Sequence, residues 1–187
     1  MTEIVAIGGS AGSLSGIIDI LKVLPEKFDF TMVVVIHRLR NVSSDMQKVL
    51  AGANNIDVHE PEDKEVIKKS VVYLAPQNYH LQLEEDKTFS LDYSEPVNFS
   101  RPSIDVTFDC IASVYGKTAA AILLSGANED GAYGISRILK KGGMAIVQDP
   151  ASAEYAIMPK AAIAKNKKAR IYKPDDIVSY IKTICRN

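Results

Sequence analysis

Ile4-Val5-Ala6-Ile7-Gly8-Gly9-Ser10-Ala11-Gly12-Ser13 opens the chain and runs directly into Leu14-Ser15-Gly16-Ile17-Ile18. A short apolar run stops at glycines, and apolar residues then recur at helical spacing at Leu14, Ile17, Ile18, Leu21 and Leu24. Strand, tight turn and helix in that order begin a parallel α/β sheet. The turn carries Gly8-x-Ser10-x-Gly12, the G-x-S-x-G pattern of a nucleophile elbow. Its glycines would admit unusual backbone angles and leave room for a substrate beside the Ser10 hydroxyl. Backbone N–H groups at the start of the following helix would be free to hold an anion. The same stretch also reads as a Gly-rich turn that merely joins a strand to a helix.

The parallel reading extends outward from this stretch. Phe30 to Ile36 is a continuous β-branched and apolar run, the pattern of a strand buried on both faces, and it ends at His37-Arg38. Ser43 and Ser44 are candidate caps for a helix carrying Met46, Val49, Leu50 and Ala53, which stops near Gly52. The middle of the chain differs. Ile56 to Val58 and Val71 to Leu74 read as short strands, and His80 to Leu83 with Phe89 to Asp92 as a hairpin. Together they read as an antiparallel insert or edge.

After a loop from Pro96 to Pro102, Ser103 is the expected cap of a helix ended by Gly116. The parallel pattern then resumes, with a buried strand at Ala119–Leu124 and a loop from Ser125 to Gly131. A helix through Ile135, Ile138 and Leu139 follows, and then a strand at Met144–Val147. A short helix begun by Pro159, a last strand at Ile171-Tyr172 and an amphipathic helix through Ile177 and Ile184 complete the chain. The expected fold is doubly wound α/β, a mostly parallel sheet with an antiparallel hairpin in the middle of the chain.

Length and charge narrow the function classes. The 187 residues suit one domain with a full core. A net charge of -1, from 22 basic and 23 acidic residues, does not point to nucleic acid or a membrane surface as the main partner. No apolar run approaches the ~20 residues of a membrane span, and no export signal is legible at the N-terminus. Cys110 and Cys185 are expected as buried thiols rather than a disulfide. His37, His59 and His80 have no Cys or His partner at ligand spacing, and no nucleotide-binding glycine motif occurs. No metal and no cofactor is therefore expected.

Ligands of an open parallel sheet bind outside the carboxyl ends of its strands. Ser10 follows the first strand, His37 ends the second, and Asp130 lies in the loop after Ala119–Leu124. These are the parts of a Ser-His-Asp triad: a hydroxyl that needs a base, an imidazole that can take its proton, and a carboxylate that orients the imidazole. Each has a structural alternative. His37 would end a strand without further role, and Asp130-Gly131 would be a turn or the cap of the next helix. His80 and Asp92 form a second possible pair, expected at the surface of the hairpin. His59 competes with His37 but lacks a Gly-rich or carboxylate loop beside it.

Several motifs occur in order: Ala6 to Gly12, Val35-Ile36-His37-Arg38, Tyr73-Leu74-Ala75-Pro76 with His80, Arg101-Pro102-Ser103-Ile104-Asp105, Leu124 to Gly134, and Gln148-Asp149-Pro150 through Met158-Pro159. Together they resemble the catalytic domain of the CheB protein-glutamate methylesterases of bacterial chemotaxis, over nearly the whole chain. The resemblance implies hydrolysis of glutamyl methyl esters on the cytoplasmic helices of chemoreceptors, with deamidation of receptor glutamines as a companion reaction. It implies Ser10 as nucleophile, His37 as base and Asp130 as the orienting carboxylate, with the backbone N–H groups of Ala11 and Ala127 as oxyanion donors. It implies a cytoplasmic protein.

Residues 1–187 are expected to form a single catalytic domain with no receiver domain among them. Ser13 stands where the family usually has glycine and is expected to narrow the cleft. Ala127 stands where methionine is common. A non-catalytic, partner-binding relative, or an esterase acting outside chemotaxis, would share these motifs.

Overall fold

Six consecutive buried residues, Ile4–Gly9, form β1 at the centre of the sheet. The computed structural model describes residues 1–38, 45–54 and 56–186. β1 pairs in parallel with β2 (Thr31–Ile36) on one side and β7 (Ala119–Leu123) on the other. Beyond β2 lie β4 (Val72–Leu74) and β3 (Val58–His59); beyond β7 lie β8 (Met144–Gln148) and β9 (Arg170–Tyr172). The order is β3-β4-β2-β1-β7-β8-β9, with every pairing parallel. A separate antiparallel pair, β5 (His80–Leu83) with β6 (Phe89–Asp92), forms the hairpin.

The doubly wound, mostly parallel fold with a mid-chain hairpin is therefore what the structure contains. One part of the sequence reading is corrected. Among the described residues of the middle region β5 and β6 are the antiparallel strand pair, while β3 and β4 extend the main sheet in parallel. Two and three residues are too few for a strand to display the side-chain pattern that separates the two pairings.

Alternate residues of β1 enter two different cores. Ile4 and Ala6 join α3 (Ile104–Tyr115), α4 (Ala132–Lys140), α5 (Ile157–Lys165) and the hairpin; Val5 and Ile7 join α1 (Leu14–Leu21), α2 (Met46–Ala51) and α6 (Pro174–Ile184). Period-2 alternation with apolar residues on both faces is the mark of a strand covered on both sides. Ser103 caps α3 as expected, accepting from the Val106 N–H, and Gly116 ends it at φ 51. The candidate caps Ser43 and Ser44 lie outside the described residues. Cys110 and Cys185 are free and half-buried rather than buried. No helix among the described residues is long and apolar enough to cross a membrane.

The order of winding decides where a site can lie. From β1 the chain moves outward through β2, and later returns to the other side of β1 as β7. The direction of winding thus reverses at β1, and a crevice opens there at the carboxyl ends of the strands.

Candidate active site

The register of β1 on β2 pairs Gly9 with Ile36, and the His37 N–H donates to the Gly9 carbonyl at 3.2 Å. One residue further along each strand, Ser10 and His37 emerge side by side. The turn holding Ser10 is tied down at several points. The Ser10 N–H donates to the Ser125 carbonyl at 2.9 Å, joining the end of β1 to the end of β7. The Ser10 carbonyl accepts from the Ser13 N–H at 3.1 Å and from Ser13 Oγ at 2.7 Å. Ser125 Oγ donates to the Ala11 carbonyl at 2.8 Å and accepts from the Tyr155 N–H at 2.9 Å. Gln148 Oε1 in turn accepts from the Ser125 N–H at 2.9 Å. The motif from Gln148 to Met158 thus braces the elbow from below.

The glycines of the elbow act differently from the sequence expectation. Only Gly12 needs a left-handed backbone, at φ 74. At Gly8 a Cβ would lie 2.5 Å from Ile104 Cγ2, and at Gly9 2.5 Å from Ser13 Cβ. The bare backbone at these two positions accommodates α3 and Ser13, not a substrate. Ser13 itself is 1% exposed and turned toward the Ser10 carbonyl, so it does not narrow the cleft as expected. A hydroxyl at this position satisfies a carbonyl of the turn, and that contact is invisible to a comparison of residue types.

His37 Nε2 lies 2.8 Å from Asp130 Oδ2. Asp130 is fully buried and accepts four further hydrogen bonds. These come from the N–H groups of Ile104 at 2.7 Å and Asp105 at 3.1 Å, from Ser103 Oγ at 2.8 Å, and from Asn98 Nδ2 at 3.3 Å. The carboxylate thus sits on the N-terminus of α3, where the unsatisfied N–H groups and the helix dipole favour negative charge. Burial alone would raise its pKa. The hydrogen bond from His37 and the N–H groups of Ile104 and Asp105 outweigh burial and hold it below its usual value. An ionised carboxylate only accepts, so the His37 proton resides on Nε2 and Nδ1 is the acceptor of the neutral ring. In place of the expected alternative, a cap on the next helix, Asp130 caps one that begins twenty-seven residues earlier at Ser103.

Ser10, Ala11 and His37 line one cavity of about 380 Å³, together with Arg38 and the segment Phe99 to Pro102. Among the described residues no hydrogen-bond partner engages Ser10 Oγ. The Ala11 and Ala127 N–H groups are likewise without an acceptor among the described residues; Ala11 is on the cavity, whereas Ala127 is exposed in the β7–α4 loop and is not among its lining residues. A second cavity, about 270 Å³ between α1 and α6, is lined mainly by apolar groups such as Ile20, Leu124 and Ile177 and contains no histidine.

Sequence reasoning missed Ser100. Its hydroxyl lies 3.3 Å from His37 Nδ1 and accepts from Asn128 Nδ2 at 3.4 Å. Nothing in a loop of Pro, Asn and Ser marks one serine as reaching an imidazole 63 positions away. His80 is also corrected. It is 1% exposed, not at the surface. It pairs in register with Asp92, but its side chain turns inward: Nδ1 accepts from the Ser103 N–H at 3.2 Å, and Nε2 donates to the Glu95 carbonyl at 3.1 Å. Asp92 instead accepts from Ser94 and Gln82. His59 bonds Glu65 at 2.9 Å and stacks edge-on against Tyr73, away from the cavity. Among the described residues no group of three or more His, Cys, Asp or Glu side chains is placed to hold a metal ion.

Comparison with known proteins identifies the family. The family model described as CheB methylesterase matches residues 5–181. A Leptospira interrogans protein named putative protein-glutamate methylesterase/protein-glutamine glutaminase is 46% identical over 161 residues, covering 86% of this chain and 83% of that one. A Pseudomonas syringae pv. tomato protein-glutamate methylesterase/protein-glutamine glutaminase is 38% identical over 163 residues, 87% of this chain but 48% of that longer protein. The crystal structure of the Thermotoga maritima CheB methylesterase catalytic domain superimposes with a TM-score of 0.91 at 30% identity, over 98% of this chain and 99% of that one. The chain belongs to the CheB methylesterase family.

Proposed function

We propose that this chain is a serine hydrolase that removes methyl esters from glutamate side chains of chemoreceptors and deamidates receptor glutamines. The observation that carries the reading is the 2.8 Å contact of His37 Nε2 with the buried Asp130, beside a Ser10 that shares one cavity with His37. In this reading the whole catalytic constellation lies within one domain spanning residues 1–187. It works in the cytoplasm on the cytoplasmic helices of the receptors.

Ser10 Oγ attacks the ester carbonyl carbon as its proton passes to His37 Nδ1. Asp130 keeps the Nε2 proton in place and stabilises the imidazolium. The carbonyl oxygen, now negative, is held by N–H groups of the elbow and of the β7–α4 loop, Ala11 and Ala127 in this assignment; one such donor is typically worth about 3 kcal/mol in the transition state. Collapse of the tetrahedral intermediate breaks the bond to methoxide, which takes the proton from His37 and leaves as methanol. Water then attacks the glutamyl-Ser10 ester by the same route and releases the carboxylate. With a glutamine side chain the leaving group is ammonia.

The test is methanol release from a methylated receptor fragment by the wild-type chain and by Ser10→Ala. Loss of release in the variant is expected; a fully active Ser10→Ala overturns the assignment. One observation favours a second reading. Among the described residues Ser100, not Ser10, is the hydroxyl within hydrogen-bond reach of His37 Nδ1, and identification of the residue acylated by a fluorophosphonate separates the two.

A further inference from the structure

The segment after Asp92 crosses the mouth of the cavity and makes a tight turn there. The Val97 N–H donates to the Ser100 carbonyl at 3.1 Å, and the Ser100 N–H to the Val97 carbonyl at 2.9 Å. Between them Asn98 and Phe99 both have left-handed backbones, at φ 48 and 62. Two such residues in a two-residue hairpin normally include glycine at the second position. Phenylalanine there is unusual, because its bulk disfavours positive φ. Phe99 is nevertheless 97% exposed, so its side chain is not part of the core. An exposed, large apolar side chain in a strained conformation, on the rim of a cavity that holds a nucleophile–base pair, points to a binding role.

The turn is fixed from within. Asn98 Nδ2 bonds Asp105 at 2.9 Å and Asp130 at 3.3 Å, and Ser100 meets His37. Phe99 is therefore displayed at a defined position relative to the catalytic groups. Arg101, on the same rim, is held by the carbonyls of Tyr93 and Ser94 and lies 3.8 Å from the Tyr93 ring centroid. Among the described residues no carboxylate lies at ion-pair distance from it; Asp92 feels its charge at longer range, which leaves the ion-pair position itself open to an anionic ligand.

We propose that Phe99 and Arg101 form a docking lip for the polypeptide that carries the ester. Phe99 enters an apolar gap between side chains of a helical segment, and Arg101 faces an acidic side chain flanking the ester on that helix. This proposal rests on the methylesterase reading. A helix that delivers a side chain into a cavity of this size lies across its rim and covers Phe99 and Arg101, a contact that hydrolysis of a small ester does not require.

The experiment measures kcat and KM of the full chain on a methylated receptor cytoplasmic fragment and on p-nitrophenyl acetate, for wild type, Phe99→Ala, Phe99→Leu and Phe99→Gly. With Phe99→Ala, KM for the fragment rises by about tenfold or more with a smaller change in kcat, as expected for loss of a buried aromatic anchor. The fragment-to-acetate ratio of kcat/KM falls correspondingly, and Phe99→Leu recovers part of it. Phe99→Gly shows the same KM rise together with a higher thermal midpoint, since glycine relieves the positive φ. An unchanged fragment KM in Phe99→Ala, or an equal loss on both substrates, overturns the lip while leaving the methylesterase reading intact. Hydrolysis of the acetate by wild type without methanol release from the fragment overturns both.

Discussion

Asp105 and Asp130 each serve the other's helix. Asp130, which precedes α4, accepts the Ile104 and Asp105 N–H groups of α3 at 2.7 and 3.1 Å, while Asp105, in the first turn of α3, accepts the Gly134 N–H of α4 at 2.7 Å. The exchange locks two helix N-termini together directly behind His37. Asp130→Asn brings an amide group against N–H donors and removes the charge that orients the imidazole. It is expected to lower kcat by about 10⁴-fold and stability by about 2 kcal/mol. Methanol release and urea unfolding measure the two losses separately.

The same pair predicts two opposed effects of pH on stability. The Asp130 carboxyl lies below its usual value of 3.8 despite burial, because His37 and the α3 N–H groups favour the anion. Its contribution is present above the unfolded value and is lost as pH falls through the folded one. Asp105 is raised above 3.8 by burial and by the neighbouring charge of Asp130, against the opposing Gly134 N–H. Its contribution is present below the unfolded value and is lost as pH rises through the folded one. Unfolding free energy measured against pH should therefore lose part of its acid-side fall in Asp130→Asn, and part of its decline above pH 3.8 in Asp105→Asn.

His80 holds the loop that carries Ser100 and Arg101 against the start of α3, through the Glu95 carbonyl and the Ser103 N–H. His80→Ala leaves both groups without their partner and opens a cavity. A loss of about 2–4 kcal/mol is expected in chemical unfolding. Because the loop also carries Asn98, which donates to Asp130, and Phe99 and Arg101 on the cavity, kcat/KM should fall as well, even though His80 lines no part of the cavity.

Ser100 competes with Ser10 for one nitrogen. If Ser10 is the nucleophile, Ser100→Ala frees His37 Nδ1, and methanol release is kept or rises by about twofold to threefold, the effect of one weak hydrogen bond. Ser10→Ala should reduce release by about 10⁴-fold with an unchanged melting midpoint. A fluorophosphonate adduct mapped by mass spectrometry to Ser100, or abolished activity in Ser100→Ala, would reverse the two roles.

Much of the fold is legible along the chain because its strands and helices are long enough to show their periods. β1, β2 and β7 read as buried runs, and Gly116 marks the end of α3. Strands β3 and β4 hide their pairing, since two or three residues display no pattern that separates a parallel extension from an antiparallel edge. His80 departs from the sequence expectation for a related reason: a hairpin residue can face either way, and contact with the start of α3 decides the direction.

The sequence by itself determined that Ser10, His37 and Asp130 emerge at carboxyl ends of neighbouring strands. Local hydrophobic patterning sets where a strand stops, and the parallel order sets which end is shared. Only the tertiary structure decided which atoms meet there. The Ser100 hydroxyl on the imidazole is a contact between segments 63 positions apart, and the Asp130 carboxylate on the start of α3 is one that depends on how closely α3 approaches β1. That distance is set at Gly8, where a Cβ would strike Ile104. Close packing of two elements nearly a hundred residues apart leaves no local trace in either of them.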